Sequence, residues 1–127
     1  MRVSLGLLGG LFVALPGMAA DLPLQAAYGT AAGCALVNPA QGRAGGAATA
    51  FAGAELRHRG MICPYVVVEE AESADGAPAW SVIAICADGH DEESAVTFTV
   101  TEHRDAGEIR VALVEGEGPE GVFPACP

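Results

Sequence analysis

The chain has 127 residues, four cysteines, and six Lys+Arg against sixteen Asp+Glu, for a formal charge of −10. All six cations are arginines. So acidic a surface argues against nucleic acid and anionic membranes, which need basic patches, and favours basic proteins, cations or plain solubility.

Residues 1–20 read as a secretory signal peptide. Arg2 supplies the positive start, residues 3–15 an apolar run, and Pro16 and Gly17 its end. Small residues follow for cleavage at Ala19 or Ala20. The run falls short of the ~20 residues a transmembrane helix needs. No cysteine follows it directly, so no lipid anchor is expected. Residues 21–127 then form a single exported β domain in the periplasm or outside the cell. Arg2 leaves with the leader, and the balance moves from −10 to −11.

Residues 21–30 read as an extended lead-in with a short strand near residues 26–28. Residues 31–53 are rich in Ala and Gly, show little periodicity, and read as a long irregular loop that is mobile or lies across the sheet. Residues 51–59 read as a strand. The organising stretch follows. Residues 65–70, 79–87, 95–102 and 108–114 are rich in Val, Ile, Thr and aromatics, with Asp- and Gly-bearing separators. Short loops between such runs give antiparallel neighbours.

Turn-centred registers place Cys63 opposite Cys86, Val66 opposite Ile83, Ile85 opposite Val96, and Val100 opposite Val111. One face then gathers Val66, Val68, Ile83, Ile85, Val96, Phe98, Val100, Ile109, Val111 and Leu113. A slip of one residue would scatter that set over both faces. The other face holds Tyr65, Val67, Trp80, Val82, Thr97, Thr99, Thr101 and Arg110, with the N-terminal half as its expected cover. Trp80 is expected beneath that cover, the alternative being an exposed binding aromatic. In the tail, residues 115–127, Gly and Pro forbid a helix, and Val122 and Phe123 suit a brief edge strand.

An even cysteine count in a small exported chain reads as a disulfide framework. Four cysteines allow three pairings. The register selects Cys63–Cys86 and leaves Cys34–Cys126. No C-x-x-C motif is present, and the cysteines are dispersed, so neither a zinc site nor a redox site is expected.

The loop at residues 88–93 gathers Asp88, His90, Asp91, Glu92 and Glu93. Hard cations take several oxygen ligands, which makes a divalent-cation site one reading. The spacing departs from the EF-hand, and the favoured reading is a solvated hairpin tip whose charges discourage edge pairing. Arg57, His58 and Arg59 form the one cationic cluster, suited to a carboxylate or phosphate or to pairing with surface acids. Ser73, Ser81 and Ser94 lie outside any Gly-rich elbow. Adjacent acids such as Glu69 and Glu70 point to opposite faces of a strand. Nothing assembles a nucleophile, a base and an orienting group, so a non-enzymatic protein without a cofactor is expected.

The fold expected is all-β: a small antiparallel meander of five to seven strands, curled into a sandwich or open barrel and stapled by two disulfides. In outline (leader, about a hundred residues, antiparallel sheet, disulfides) the chain resembles the periplasmic lysozyme-inhibitor barrels. The resemblance carries no specific motif. The functional expectation is an exported binding module, in its most concrete form an acidic inhibitor or chaperone of a basic envelope enzyme such as a lysozyme. A cation-binding module and a purely structural envelope protein are the alternatives.

Overall fold

The computed structural model of the chain describes residues 20–37, 48–87 and 92–127. The eight strands are β1 (Tyr28–Gly29), β2 (Thr49–Phe51), β3 (Glu55–His58), β4 (Met61–Ala71), β5 (Ala79–Ala87), β6 (Glu93–His103), β7 (Glu108–Glu115) and β8 (Gly121–Pro124). Each pairs antiparallel with the next in a single sheet. A bridge between Tyr28 and Ala125 then brings β1 back to β8, and the Cys126 N–H donates to the Ala27 carbonyl at 2.8 Å. The meander is therefore a nearly closed up-and-down barrel. The expected upper count of seven becomes eight because the single strand expected over residues 51–59 is two, β2 and β3.

The barrel interior is filled by side chains. Phe51 meets Phe98 and Phe123 at ring separations of 5.8 and 5.1 Å, and Tyr65 meets Phe98 at 6.5 Å. Leu56, Val82, Val96, Val100 and Ile109 complete the core. Each large apolar side chain fully buried there contributes roughly 1.5–3 kcal/mol.

Both disulfides form as the register requires, Cys63–Cys86 and Cys34–Cys126. The β6–β7 register also matches: Val100 faces Val111 and Phe98 faces Leu113. The first hairpin follows the expected register from Ile62–Ala87 to Tyr65–Ala84, then shifts at a bulge between Tyr65 and Val67. Between β5 and β6 the register is one residue off the expected one. Ala84 faces Val96 and Val82 faces Phe98. The slip inverts the faces of β5, as period-two strands demand. Trp80, Val82 and Ala84 are buried with Tyr65, Val96 and Phe98, whereas Ile83 and Ile85 point outward and Val66 is exposed. Trp80 is therefore a core residue, 6% exposed.

Residues 31–53 are not one irregular loop. Ala31–Val37 form a helix, α1, and Thr49–Phe51 form β2; residues 38–47 lie outside the described residues. Thr30 caps the helix, its hydroxyl accepting the Gly33 N–H at 2.9 Å. The same oxygen accepts the Thr49 N–H at 3.1 Å, which fixes α1 against β2. Gly33 makes this contact possible: a β-carbon there would lie 1.8 Å from the Thr49 carbonyl oxygen.

Among the described residues, the N-terminal segment from Ala20 to Leu24 caps one end of the barrel. The Ala20 N–H donates to the Tyr65 carbonyl and the Leu22 N–H to the Gly53 carbonyl, at 2.8 and 2.7 Å. Leu22 is buried against the core, with Leu24 packed beside it. The connection from β7 to β8 folds over residues of the wall, with Gly118 against Val96 and Leu113 and Pro119 buried.

Candidate binding surface

Of the acidic loop, Asp88, His90 and Asp91 lie outside the described residues. Glu92 and Glu93 are exposed, and Glu93 opens β6 opposite Ala87. Among the described residues no three His, Cys, Asp or Glu side chains converge as metal ligands.

Strand geometry disperses the cationic cluster. Arg57 pairs with Glu55 at 2.7 Å on the outer face of β3. His58 turns toward β2 and shares a hydrogen bond of 2.8 Å with the Thr49 hydroxyl. Burial, and then the charge of Arg59, hold the His58 imidazole below its usual pKa. Arg59 sits at the hairpin tip with φ 54°. His58, Arg59 and Met61 line a cleft of about 550 Å³ with Glu117, Pro119 and Glu120. Glu117 and Glu120 face a single arginine, Arg59, so the cleft is not a converging anion site.

At the opposite end, the Ser73 hydroxyl reaches Asp75 at 3.1 Å and the Ala77 carbonyl at 2.7 Å. His103 lies 3.6 Å from the other Asp75 oxygen. The order is Ser–Asp–His, with the carboxylate in the middle. Nucleophilic catalysis needs the imidazole against the hydroxyl, so this is not a hydrolase triad. The Ala77 N–H and the Ser73 hydroxyl hold the Asp75 carboxyl below the usual carboxylate range, which suits an ionised turn-former. Ser81 faces outward on β5, and Ser94 is exposed on β6.

Sequence reasoning missed Glu102. This carboxylate is fully buried where β6 ends. One oxygen accepts the Gln25 N–H and the Tyr28 hydroxyl, each at 2.7 Å; the other accepts the Arg104 guanidinium at 2.9 Å. With every partner supplied by the chain, Glu102 is a structural clasp. A signal was present in the alternation of β6, whose inward positions Val96, Phe98 and Val100 continue to Glu102.

Among the described residues, the outer wall of β4, β5 and β6 carries exposed aliphatic side chains. The bulge after Tyr65 leaves Val66 and Val67 38% and 37% exposed, and Ile62 is 46% exposed. Val67 faces the outward Ile83, and Ile85 faces the exposed Ala95. Aliphatic side chains thus run across three adjacent strands. Carboxylates border them: Glu55 on β3 opposite Pro64, Glu69 further along β4, and Glu93 opposite Ala87.

No family model, characterised protein or solved structure matches the chain. Two disulfides, and no helix among the described residues long and apolar enough to cross a membrane, are compatible with an oxidising periplasmic or extracellular compartment.

Proposed function

We propose that this is an exported, non-enzymatic binding protein that recognises a basic partner in the cell envelope. Its most concrete form is an acidic inhibitor or chaperone of a basic wall enzyme such as a lysozyme. The carrying observation is the contrast between inside and outside. The interior is occupied by the chain's own aromatics, which leaves the wall for recognition. That wall belongs to a chain of formal charge −10, with aliphatic side chains bordered by carboxylates. Opposite charge steers encounter and selects partners, while apolar contact supplies affinity.

The test immobilises the oxidised mature chain and passes an envelope extract over it at low and then physiological salt. A basic wall protein retained at low salt and released as salt rises supports the reading. Retention indifferent to salt, or nothing retained at either salt, removes it.

A further inference from the structure

Three features outside the core invite a role: the cleft at His58 and Arg59, the Ser73–Asp75–His103 turn, and the outer wall of β4–β6. The first sets carboxylates opposite a single arginine, and the second is a turn whose polar groups already satisfy one another. The wall is different, because its aliphatic side chains have no such account.

The bulge is the key. In an uninterrupted strand Tyr65 and Val67 would share a face. The extra residue instead keeps Tyr65 and Val68 toward the core while both Val66 and Val67 meet solvent. Bulges re-aim side chains in this way. Val67 then stands beside Ile83, the next outward position Ile85 stands beside Ala95, and Ile62 stands beside Ala87. Among the described residues, the segment around Leu22 and Gln25 is committed to the barrel end. Of the three wall strands, only β5 is paired along both edges among the described residues: β4 meets β3 over residues 61–64 alone, and β6 meets β7 over residues 97–103. A partner seated on the outer face reads side chains, whereas the edge of β4 at residues 66–71 has a strand on one side only.

Charge decides which partner fits. Glu55, Glu69 and Glu93 lie on three sides of the aliphatic strip, and the guanidinium beside it, Arg57, is already paired with Glu55. A second copy of this chain would set Glu69 and Glu93, which form no ion pair among the described residues, against like charge, a repulsion that argues against self-association. A basic surface presenting an apolar side chain meets both requirements.

We infer that the outer face of β4–β6 is the docking surface for the basic partner, with an apolar side chain of that partner seated against Val67 and Ile83. The inference rests on the reading under Proposed function and adds the place and the chemistry of contact. Glu69 and Glu93 take the partner's flanking Lys or Arg side chains.

The experiment compares the wild-type mature chain with Val67→Ser/Ile83→Ser and with Val114→Ser, an exposed valine on β7 outside the strip. The probes are lysozyme, the salt-released basic fraction of the envelope extract, and poly-L-lysine, which carries charge without apolar anchors. Circular dichroism checks that all three chains are folded. The expected result is a loss of about tenfold or more in protein binding for the double variant. Val114→Ser and poly-L-lysine retention stay unchanged. Equal binding by the double variant overturns the surface assignment and leaves the functional reading standing. Failure of the wild type to retain any basic protein overturns both. Self-association of the wild type, abolished in the double variant, assigns the face to a second copy and overturns the inference.

Discussion

Tyr28 donates its hydroxyl to Glu102 at 2.7 Å across the barrel seam, joining β1 to the far end of β6. The same carboxylate takes the Gln25 N–H and the Arg104 guanidinium. The barrel thus closes through a buried charge in addition to backbone pairing, which is limited to the two residues of β1. Replacing Glu102 by Ala orphans three donors at once. Arg104 is 44% exposed and returns to water, so the main cost is the buried Tyr28 hydroxyl left without its acceptor, roughly 1–3 kcal/mol. Glu102→Ala is therefore expected to lower the urea midpoint by that equivalent, and Glu102→Gln by less, because the amide still accepts. A loss within 0.5 kcal/mol, the ordinary surface-mutation range of about that size, would show that the seam does not depend on the clasp.

Alkaline pH should attack the same seam. Burial, then the hydrogen bond to Glu102 and its charge, push Tyr28 up to about 12 from an ordinary 10.0. Burial, with a contribution from Glu55, raises Tyr65 as well. In this range the unfolded chain releases phenolic protons before the folded one, so the native state binds more protons and stability falls as pH rises. The contribution is fully present below pH 10 and is lost as pH climbs toward 12. Urea midpoints measured up that range, alongside phenolate absorbance, should fall together. Tyr28→Phe should lose stability at neutral pH, by about 1 kcal/mol, yet show a shallower alkaline decline. An equally steep decline in that variant would mean that Tyr28 is not one of the coupled groups.

Much of this architecture was legible in the residues, and the failures have physical causes. The turn at Asp105, Ala106 and Gly107 is short, with Gly107 at φ 66°, so it fixed the β6–β7 register. The cysteine pairing came out right by compensation: the pairs beside the first turn, Val67–Ile83 to Ala71–Ala79, run one residue off the turn-centred register, and the bulge before Val67 restores it at Cys63 and Cys86. Strand β5 is apolar on both faces, with Trp80 and Val82 on one and Ile83 and Ile85 on the other. Hydrophobicity alone could not choose between them. Parity with Cys86 would have chosen, since a bridged cysteine pair favours the interior, and Val82, Ala84 and Cys86 share that face. The bulge at Val66 left no compositional mark. Helix α1 is too short to show periodicity, although Thr30 before an Ala-rich run was a usable capping signal. The outer strip went unrecognised as a surface because its members Val66, Ile83 and Ile85 were read as core.

Gly33 sets helix propensity against packing. Alanine is the better helix former by about 1 kcal/mol. Its methyl group would nevertheless fall 1.8 Å from the Thr49 carbonyl oxygen, a backbone atom held in β2. Backbone cannot step aside as a flexible side chain can, so overpacking of roughly 1–3 kcal/mol or more should win. Gly33→Ala is expected to destabilise, whereas Ala32→Gly, at the neighbouring helical position, should cost only the propensity difference. If Gly33→Ala stabilised the protein, the close approach of α1 to β2 would be wrong.

The two disulfides should differ in weight. Cys34–Cys126 spans 92 residues and Cys63–Cys86 spans 23. In the chain-entropy picture the longer loop constrains the unfolded state more, about 4.6 against about 3.4 kcal/mol. Packing works the other way, because Cys63 is fully buried and Cys34 is 7% exposed. Removing two core sulfur atoms adds a cavity cost to the shorter bridge, but Ala at both positions limits it to the small volume of the thiols. Loop entropy should therefore decide. Cys34→Ala/Cys126→Ala is expected to lose about 1 kcal/mol more than Cys63→Ala/Cys86→Ala in urea unfolding at matched conditions. The larger loss should carry a location too. The longer bridge ties α1 to the segment after β8, so its removal should speed amide exchange at Tyr28 and Ala125 before exchange in β5 and β6. Uniform acceleration across the sheet would instead mean that the seam and the β4–β6 wall open as one cooperative unit.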